Sequence, residues 1–305
     1  MSSIPIQPIA ITGAGGWLGT ELLEHLLAVW GPENVKANVI CFGSSRRQIS
    51  LSDGTKLQIE DFADAQSVLG GVELGGLVHL AFLTRDKVAD RPLDSYVFEN
   101  LKLTSKALQV IETSKPRWVA TVSSGAALKA PEFEQIDLDI VANPYGFLKH
   151  GEEVLLADAC TRVGANLSIG RLWGAGGLFM PRNLAYALSD FIQKAKAGQV
   201  IEVKAPHSVF RRYCDAGQFM QLLLLVAQDR QRCTFDSGGH LVEMGALAAN
   251  IAKATGVQVH RAVYDENLPA NTYYAKSGIY EELCLAYGLT PLRLTEIIDR
   301  TLTGH

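Results

Sequence analysis

"IAITGAGGWLG", residues 9–19, is the stretch that decides the fold. A short β-rich run ends at Thr12, and glycines follow at positions 13, 15, 16 and 19. Glycine costs backbone entropy on folding, so a cluster is kept where the chain must turn tightly or approach something closely. From Gly16 to Trp30 the pattern turns helical, with Leu18, Leu22, Leu26 and Val29 on one side. Strand, glycine turn and helix together make this G-x-x-G-x-x-G run read as a dinucleotide loop. Gly13 permits the turn. Gly16 lets backbone approach a pyrophosphate at the helix N-terminus, where N–H groups and the dipole favour anions. Gly19 lets the helix pack against the sheet.

The same alternation continues along the chain. Apolar strands are expected at 37–43 ("ANVICFG"), 56–60 ("KLQIE"), 76–82 ("GLVHLAF"), 117–124 ("RWVATVSS") and 165–173 ("ANLSIGRLW"). Helical stretches separate them, notably from Leu93 to Thr113 and from Tyr145 to Val163. Near-continuous apolar strands joined by helical crossovers imply a parallel sheet covered on both faces. The fold class is therefore α/β, a doubly wound parallel Rossmann sheet, over residues 1–172. After Trp173 the rhythm breaks, with a helix expected from Asn183 to Ala197 and mixed short pieces beyond it. Residues 173–213 and 238–305 read as a smaller C-terminal substrate-binding lobe. The chain is expected to return to the sheet around 214–237, through Gln218–Gln228 and "CTFDS".

Composition narrows the class. Of 305 residues, 48% are apolar and 20% charged, with a net charge of −4, which fits a soluble globular protein and gives no basic surface for nucleic acid or an anionic membrane. The longest apolar run, "LLLLVA" at 222–227, is too short to span a bilayer. The five cysteines are dispersed with no C-x-x-C pair. They read as reduced core thiols of a cytoplasmic protein, and no metal site is expected.

Tyr145 and Lys149 stand four apart on the expected helix, on one face. A phenol with a pKa of ~10 is a poor acid–base catalyst at neutral pH, and a nearby ammonium lowers that value by favouring the phenolate. Tyr145 can then give a proton to a carbonyl oxygen or take one from an alcohol. Ser123 and Ser124 end the strand at 117–124, and either hydroxyl could bond a substrate oxygen where charge develops. After the second strand no acid appears until Asp53; Ser44, Ser45, Arg46 and Arg47 stand there instead. An acid would bind the ribose 2′-hydroxyl of NAD, whereas hydroxyls and guanidinium groups suit a 2′-phosphate. The expected cofactor is NADP rather than NAD.

"TGAGGWLG" (Thr12–Gly19) followed by "YGFLK" (Tyr145–Lys149) resembles the short-chain dehydrogenase/reductase superfamily, and its extended branch, the NAD(P)-dependent epimerase/dehydratase group, is the most similar. "DFAD" at 61–64, "VHLAF" at 78–82, "NPYGFLKHGEE" at 143–153 and "AYGLTPLRLTEIIDRTL" near the end extend the resemblance over most of the chain. The resemblance implies that Ser124 is the working hydroxyl, that Lys149 also holds the nicotinamide ribose, and that Asn100 completes a proton relay. It places Asp61 and Phe62 beside the adenine. Thr12, Trp17 and Leu18 of the loop, with Leu80, Ala81 and Leu172 at strand ends, complete the implied cofactor contacts. It also implies a homodimer through the two long helices, with Val97, Leu101, Leu108, Leu155 and Leu156 as seam candidates.

Departures from the family pattern bear on the reaction. Gly125 and Ala126 replace the acid pair of the dehydratases, so elimination lacks an evident acid or base. Gly174 replaces the asparagine of the sugar-nucleotide enzymes, and "RRYCDAGQ" (Arg211–Gln218) is an eroded form of another of their motifs. The expected function is an NADP-dependent reductase or dehydrogenase acting on a small carbonyl/alcohol pair, with Trp173, Phe179, Met180 and Tyr213 as candidates for an apolar pocket. The alternatives are a nucleotide-sugar epimerase or 4-ketoreductase, and a non-catalytic NADP sensor.

Overall fold

The alternating apolar runs become an eight-stranded sheet in a computed structural model that describes residues 7–130, 135–136, 139–182, 186–261 and 263–304. Its strands are β1 (Ile9–Thr12), β2 (Val39–Gly43), β3 (Arg47–Ser50), β4 (Lys56–Asp61), β5 (Gly76–His79), β6 (Trp118–Ser124), β7 (Asn166–Leu172) and β8 (Arg232–Asp236), in the order β8-β7-β6-β5-β1-β2-β4-β3. The pairs β1–β2, β1–β5, β2–β4 and β5–β6 are parallel, and β3 lies antiparallel on β4 at the edge. Strand order reverses at β1, between β2 and β5. A crevice opens at such a switch point beyond the carboxyl ends of the strands, and ligands bind there in this architecture. Thr12 and His79, paired in register, stand at that edge.

Four strands are buried along their whole length or nearly so, which is why they read as unbroken apolar runs. The helices are α1 (Trp17–Trp30), α2 (Pro32–Asn38), α3 (Leu93–Ser114), α4 (Pro144–Val163) and α5 (Ala216–Asp229). Phe42, Phe62, Leu77, Val119, Ile111 and Leu156 meet in one core cluster between sheet and helices. On the expected buried side of α1, Leu22 and Leu26 are in the core but Val29 is exposed, because the helix ends one residue later and its last turn projects beyond the sheet.

Two elements differ from the sequence reading. Pro32 starts a helix that takes Ala37 and Asn38 out of the expected second strand; a proline at the first helical position is preorganised for that start. Arg47–Ser50, read as loop, is the edge strand β3. It is exposed and polar, and its strand character comes from pairing with β4, a tertiary contact with little local signal. "CTFDS" does return to the sheet as β8 beside β7.

The chain separates into two compact units. Among the described residues, one holds 7–130, 135–136, 139–171 and 220–235, and the other 172–182, 186–219, 236–261 and 263–304. In the second, Val209–Asp215 pairs antiparallel with His240–Glu243 and parallel with Ala175–Gly176 and Asn271–Tyr273. Helices Ala187–Lys196, Met244–Thr255, Ile279–Ala286 and Leu294–Thr303 belong to the same unit. The expected helix from Asn183 is thus seen from Ala187, positions 183–185 lying outside the described residues. No described helix is long and apolar enough to cross a membrane.

Candidate active site at the end of the parallel sheet

The glycine loop is held by its own geometry. Gly13 has φ +69°, and a Cβ there would lie 2.8 Å from the Leu80 carbonyl carbon and 2.9 Å from the Ala81 nitrogen. A Cβ on Gly19 would meet the carbonyl oxygens of Gly13 and Ala14 at 2.5 Å. Gly16 is the N-cap of α1 and offers no side-chain cap to the first-turn N–H groups. Those donors, with the helix dipole, suit an anion. Trp17 and Leu18 follow, half-buried, with the Trp17 indole N–H donating to buried Glu21 at 3.2 Å.

The four polar residues after β2 do not act alike. Ser44 and Ser45 are exposed. Arg46 turns away, its Nε 2.6 Å from Glu60 and a terminal nitrogen 3.8 Å from Asp64. Arg47, also exposed, lies across the loop: a Cβ on Gly15 would strike its guanidinium, and one on Gly43 would come within 3.5 Å of it. Only Arg47 therefore lies over the glycine loop. Asp61 spends one carboxylate oxygen on the Ala63 N–H. The Phe62 ring is in the core, 5.9 Å from the Phe42 ring, so only the backbone at 62 is left to flank a base. An aromatic beside an apolar strand is drawn into the core by its buried area.

Helix α4 is set against the end of β6 by Asn143. Its amide oxygen accepts the Gly146 N–H at 3.0 Å, capping the helix, and its amide nitrogen donates to the Ala126 carbonyl at 2.8 Å. A Cβ on Gly146 would collide with that same carbonyl. The cap thus ties the start of the Tyr145 helix to the turn that follows Ser124. The Ser124 hydroxyl accepts the Ala126 N–H at 3.1 Å, which leaves its own O–H to donate. Ser123 points to the other face of the strand, its oxygen buried without a hydrogen-bond partner.

Tyr145 and Lys149 meet at the Phe82 ring. The tyrosine ring is edge-on to it, 5.9 Å between centroids, and the Lys149 ammonium lies over its face at 3.8 Å. Phe82 directly follows Leu80 and Ala81, the backbone on which Gly13 packs. The glycine loop and the Tyr-Lys helix therefore converge on one strand end. Lys149 is 4% exposed and donates to the Val122 carbonyl at 2.9 Å and to Glu152 at 2.7 Å. Burial alone would push the Glu152 carboxyl up; the Lys149 ammonium and His79 outweigh it and hold the group below the usual carboxylate range. The stability this supplies is present above the unfolded value of about 4.3 and is lost as pH falls through the lower folded value.

Asn100, the relay candidate, is buried on α3. Its amide oxygen accepts the Leu83 N–H at 2.7 Å, and its nitrogen donates to the Tyr96 carbonyl at 3.2 Å. It fastens the loop after β5 to α3. Arg171 and Glu153 form a two-pronged pair at 2.9 and 2.7 Å that joins β7 to α4. In the second unit, Trp173 and Tyr213 are buried, with the Trp173 indole donating to Asp236 at 2.7 Å. Of the four pocket candidates, Met180 lines a cavity there, with Pro181, Ser189 and Ile192. Among the described residues no group of three His, Cys, Asp or Glu could hold a metal ion.

Comparison with known proteins agrees with this architecture. The family model of the NAD dependent epimerase/dehydratase family matches residues 9–236. No curated protein matches the sequence significantly. Among solved structures, UDP-glucose 4-epimerase of Thermotoga maritima with UDP-glucose superposes with a TM-score of 0.74 at 17% identity, covering 97% of each chain. UDP-glucose 4-epimerase of Brucella ovis in complex with NAD gives 0.76 at 17% identity, again over 97% of each. A dTDP-glucose 4,6-dehydratase double mutant of Streptomyces venezuelae with NAD bound gives 0.72 at 17%, over 97% of this chain and 96% of that one. At such identities the likeness is one of fold.

Proposed function

Because the chain belongs to the NAD dependent epimerase/dehydratase family, we propose that it moves a hydride between a nicotinamide dinucleotide and a carbinol or carbonyl carbon, with Tyr145 as the proton donor or acceptor. The observation that carries this reading is the shared strand end, where Gly13 packs on Leu80–Ala81 and Tyr145 and Lys149 both contact Phe82. Cradle and acid–base group are thereby built onto the same backbone. The residues fit a dinucleotide: the loop has no side chains where a pyrophosphate must approach, and α1 presents uncapped donors. When bound, the nicotinamide supplies the hydride acceptor or donor. Tyr145 moves the proton on the substrate oxygen, Ser124 donates to that oxygen as charge develops, and Lys149 keeps a positive charge beside the phenol.

The neighbours favour epimerisation of a nucleotide sugar, in which the hydride is taken and returned within one catalytic cycle. Incubation with UDP-glucose or UDP-N-acetylglucosamine and catalytic NAD, followed by proton NMR of the sugar ring, is expected to show inversion with no net change in the nicotinamide. A second reading, a reductase exchanging NADPH, has one observation in its favour. Arg47 across the loop and the absence of an acid at the end of β2 suit a 2′-phosphate. Steady consumption of NADPH with a carbonyl substrate, and no sugar inversion, would decide for it.

The cofactor reading makes its own prediction. On the second reading, NADPH is expected to bind more tightly than NADH, and Arg47→Ala to remove about 1.5–3 kcal/mol of that difference, the range for hydrogen bonds to charged groups. Arg46→Ala is expected to change little, since Glu60 and Asp64 already hold that guanidinium. Fluorescence titration of both cofactors against both variants measures this, and equal wild-type affinities would end the NADP assignment.

A homodimer through α3 and α4 is part of the same proposal. Phe98, Leu101, Val154 and Leu155 are exposed on these two packed helices. Leu156 belongs to the core instead, and Leu108 packs partly against it, because both lie on the sheet-facing sides of their helices. Sedimentation is expected to show twice the 33.1 kDa chain mass, reduced to one chain by Leu101→Glu with Leu155→Glu. A wild-type protein sedimenting as a single chain at micromolar concentration counts against the dimer.

A further inference from the structure

Glu152 stands one position before the glutamate that pairs with Arg171, and no motif marks it. It is 2% exposed, and its two oxygens face two buried partners. Oε2 accepts from Lys149 Nζ at 2.7 Å, and Oε1 lies 3.2 Å from His79 Nε2. Neither Oε1 nor Nε2 makes a well-aligned hydrogen bond, to the other or elsewhere; the two are paired by proximity inside the core. On its far side, His79 Nδ1 is 2.7 Å from Thr12 Oγ1. Thr12 Oγ1 also accepts the N–H groups of Leu80 and Ala81, each at 3.1 Å. On the other side of the ring, Nε2 faces the Glu152 carboxylate, which can only accept, so Nε2 is the donor of that contact. A continuous buried chain runs from the Leu80–Ala81 backbone through Thr12, His79 and Glu152 to Lys149.

We propose that Glu152 is a positioning residue for Lys149: it fixes the ammonium at the cofactor-facing end of the sheet and ties it to the strand end that cradles the dinucleotide. The inference rests on the reading of Lys149 as the ammonium of the Tyr145 site. Three partners surround that ammonium: the Val122 carbonyl, Glu152 and the Phe82 ring face. The ring face is the one partner that can be exchanged for a ribose hydroxyl without breaking a hydrogen bond. Glu152 and Val122 then keep the ammonium in place while its third donor turns to the cofactor. A buried ammonium with no counter-charge loses its proton or leaves, and either outcome removes the donor.

An amide cannot substitute for the carboxylate. Lys149 and His79 Nε2 are both donors, so both oxygens of residue 152 must accept, whereas glutamine offers one acceptor and one donor. Glu152→Gln is therefore expected to weaken NADPH binding roughly tenfold or more, the scale of one lost charge-assisted hydrogen bond. The experiment is a double-mutant cycle in NADPH affinity with Glu152→Gln and Lys149→Met, together with the histidine ¹⁵N spectrum of the wild type. If Glu152 acts through Lys149, Glu152→Gln weakens binding in the wild-type background and adds less than about twofold in the Lys149→Met background. Equal losses in both backgrounds, or no loss in the first, overturn the inference while leaving the Lys149 site intact. If Lys149→Met leaves NADPH affinity unchanged, the site reading itself fails and the inference falls with it. Should Glu152→Gln not fold, Glu152→Asp takes its place in the same cycle with the same two outcomes; the wild-type spectrum is expected to show His79 protonated at Nε2, and a bare Nε2 overturns the chain.

Discussion

Tyr145→Phe is expected to lower turnover by about 10²–10⁴-fold, the usual worth of a positioned acid–base group, while NADPH affinity stays near the wild-type value. The separation follows from where the phenol sits. Its ring packs edge-on to Phe82, and phenylalanine keeps that contact. The helix start is held by Asn143 through Gly146 and Ala126, none of which the substitution touches. The cradle at Gly13 and α1 is equally untouched. Only the transferable proton is lost, so the loss falls on rate and spares binding. Ser124→Ala is expected to follow the same pattern, with about 2.7–4 kcal/mol lost from the transition state. Turnover on a substrate the wild type converts, measured beside a fluorescence titration of NADPH, separates the two quantities. A fully active Tyr145→Phe protein would remove the tyrosine from the mechanism, and the non-catalytic sensor reading would then gain ground.

What was legible in the sequence was what repeats locally. The glycine spacing, the i,i+4 pair of Tyr145 and Lys149, and the apolar runs each carry their own period, and each falls where that period placed it. The return of β8 to the sheet was legible from the short run "CTFDS" that follows α5. Contacts between distant segments were not legible. Arg46 and Arg47 are identical in sequence context, yet Glu60 and Asp64 on and after β4 draw one outward while the other lies on Gly15. Glu152 carried no reading of its own, and only the packing of α4 on β5 and β6 brings it to His79 and Lys149. Asn100 had the residue type for a relay; that its amide bonds the backbone of Leu83 is a contact between distant segments that the sequence does not carry. The N-P-Y-G pattern at 143–146 did hold a cue: asparagine before a proline at the first helical position is a capping signal.

Gly13→Ala is expected to abolish nicotinamide dinucleotide binding and to destabilise the fold by several kcal/mol, whereas Gly16→Ala leaves stability close to wild type. At Gly13 two costs add. The backbone is left-handed at φ +69°, which costs an L-residue about 1–2 kcal/mol. The new methyl would also lie 2.8 Å from the Leu80 carbonyl carbon and 2.9 Å from the Ala81 nitrogen. These are backbone atoms, so no rotamer change relieves the contact, and overpacking of this kind costs about 1–3 kcal/mol. Leu80 and Ala81 cannot retreat freely, because their N–H groups are bonded to Thr12. A shift there would pull Thr12 from His79 and reach Glu152 and Lys149 through the same buried chain. At Gly16 the backbone is right for any residue, with φ −89°, and the nearest atom to a Cβ is the Gly13 carbonyl oxygen at 3.2 Å. A methyl group there costs little in the free protein but stands where an anion must approach the first turn of α1. The pair of variants thus separates folding from binding: thermal melting should fall sharply for Gly13→Ala alone, and dinucleotide affinity should fall for both. Wild-type dinucleotide affinity in Gly13→Ala would show that the dinucleotide binds somewhere other than this loop.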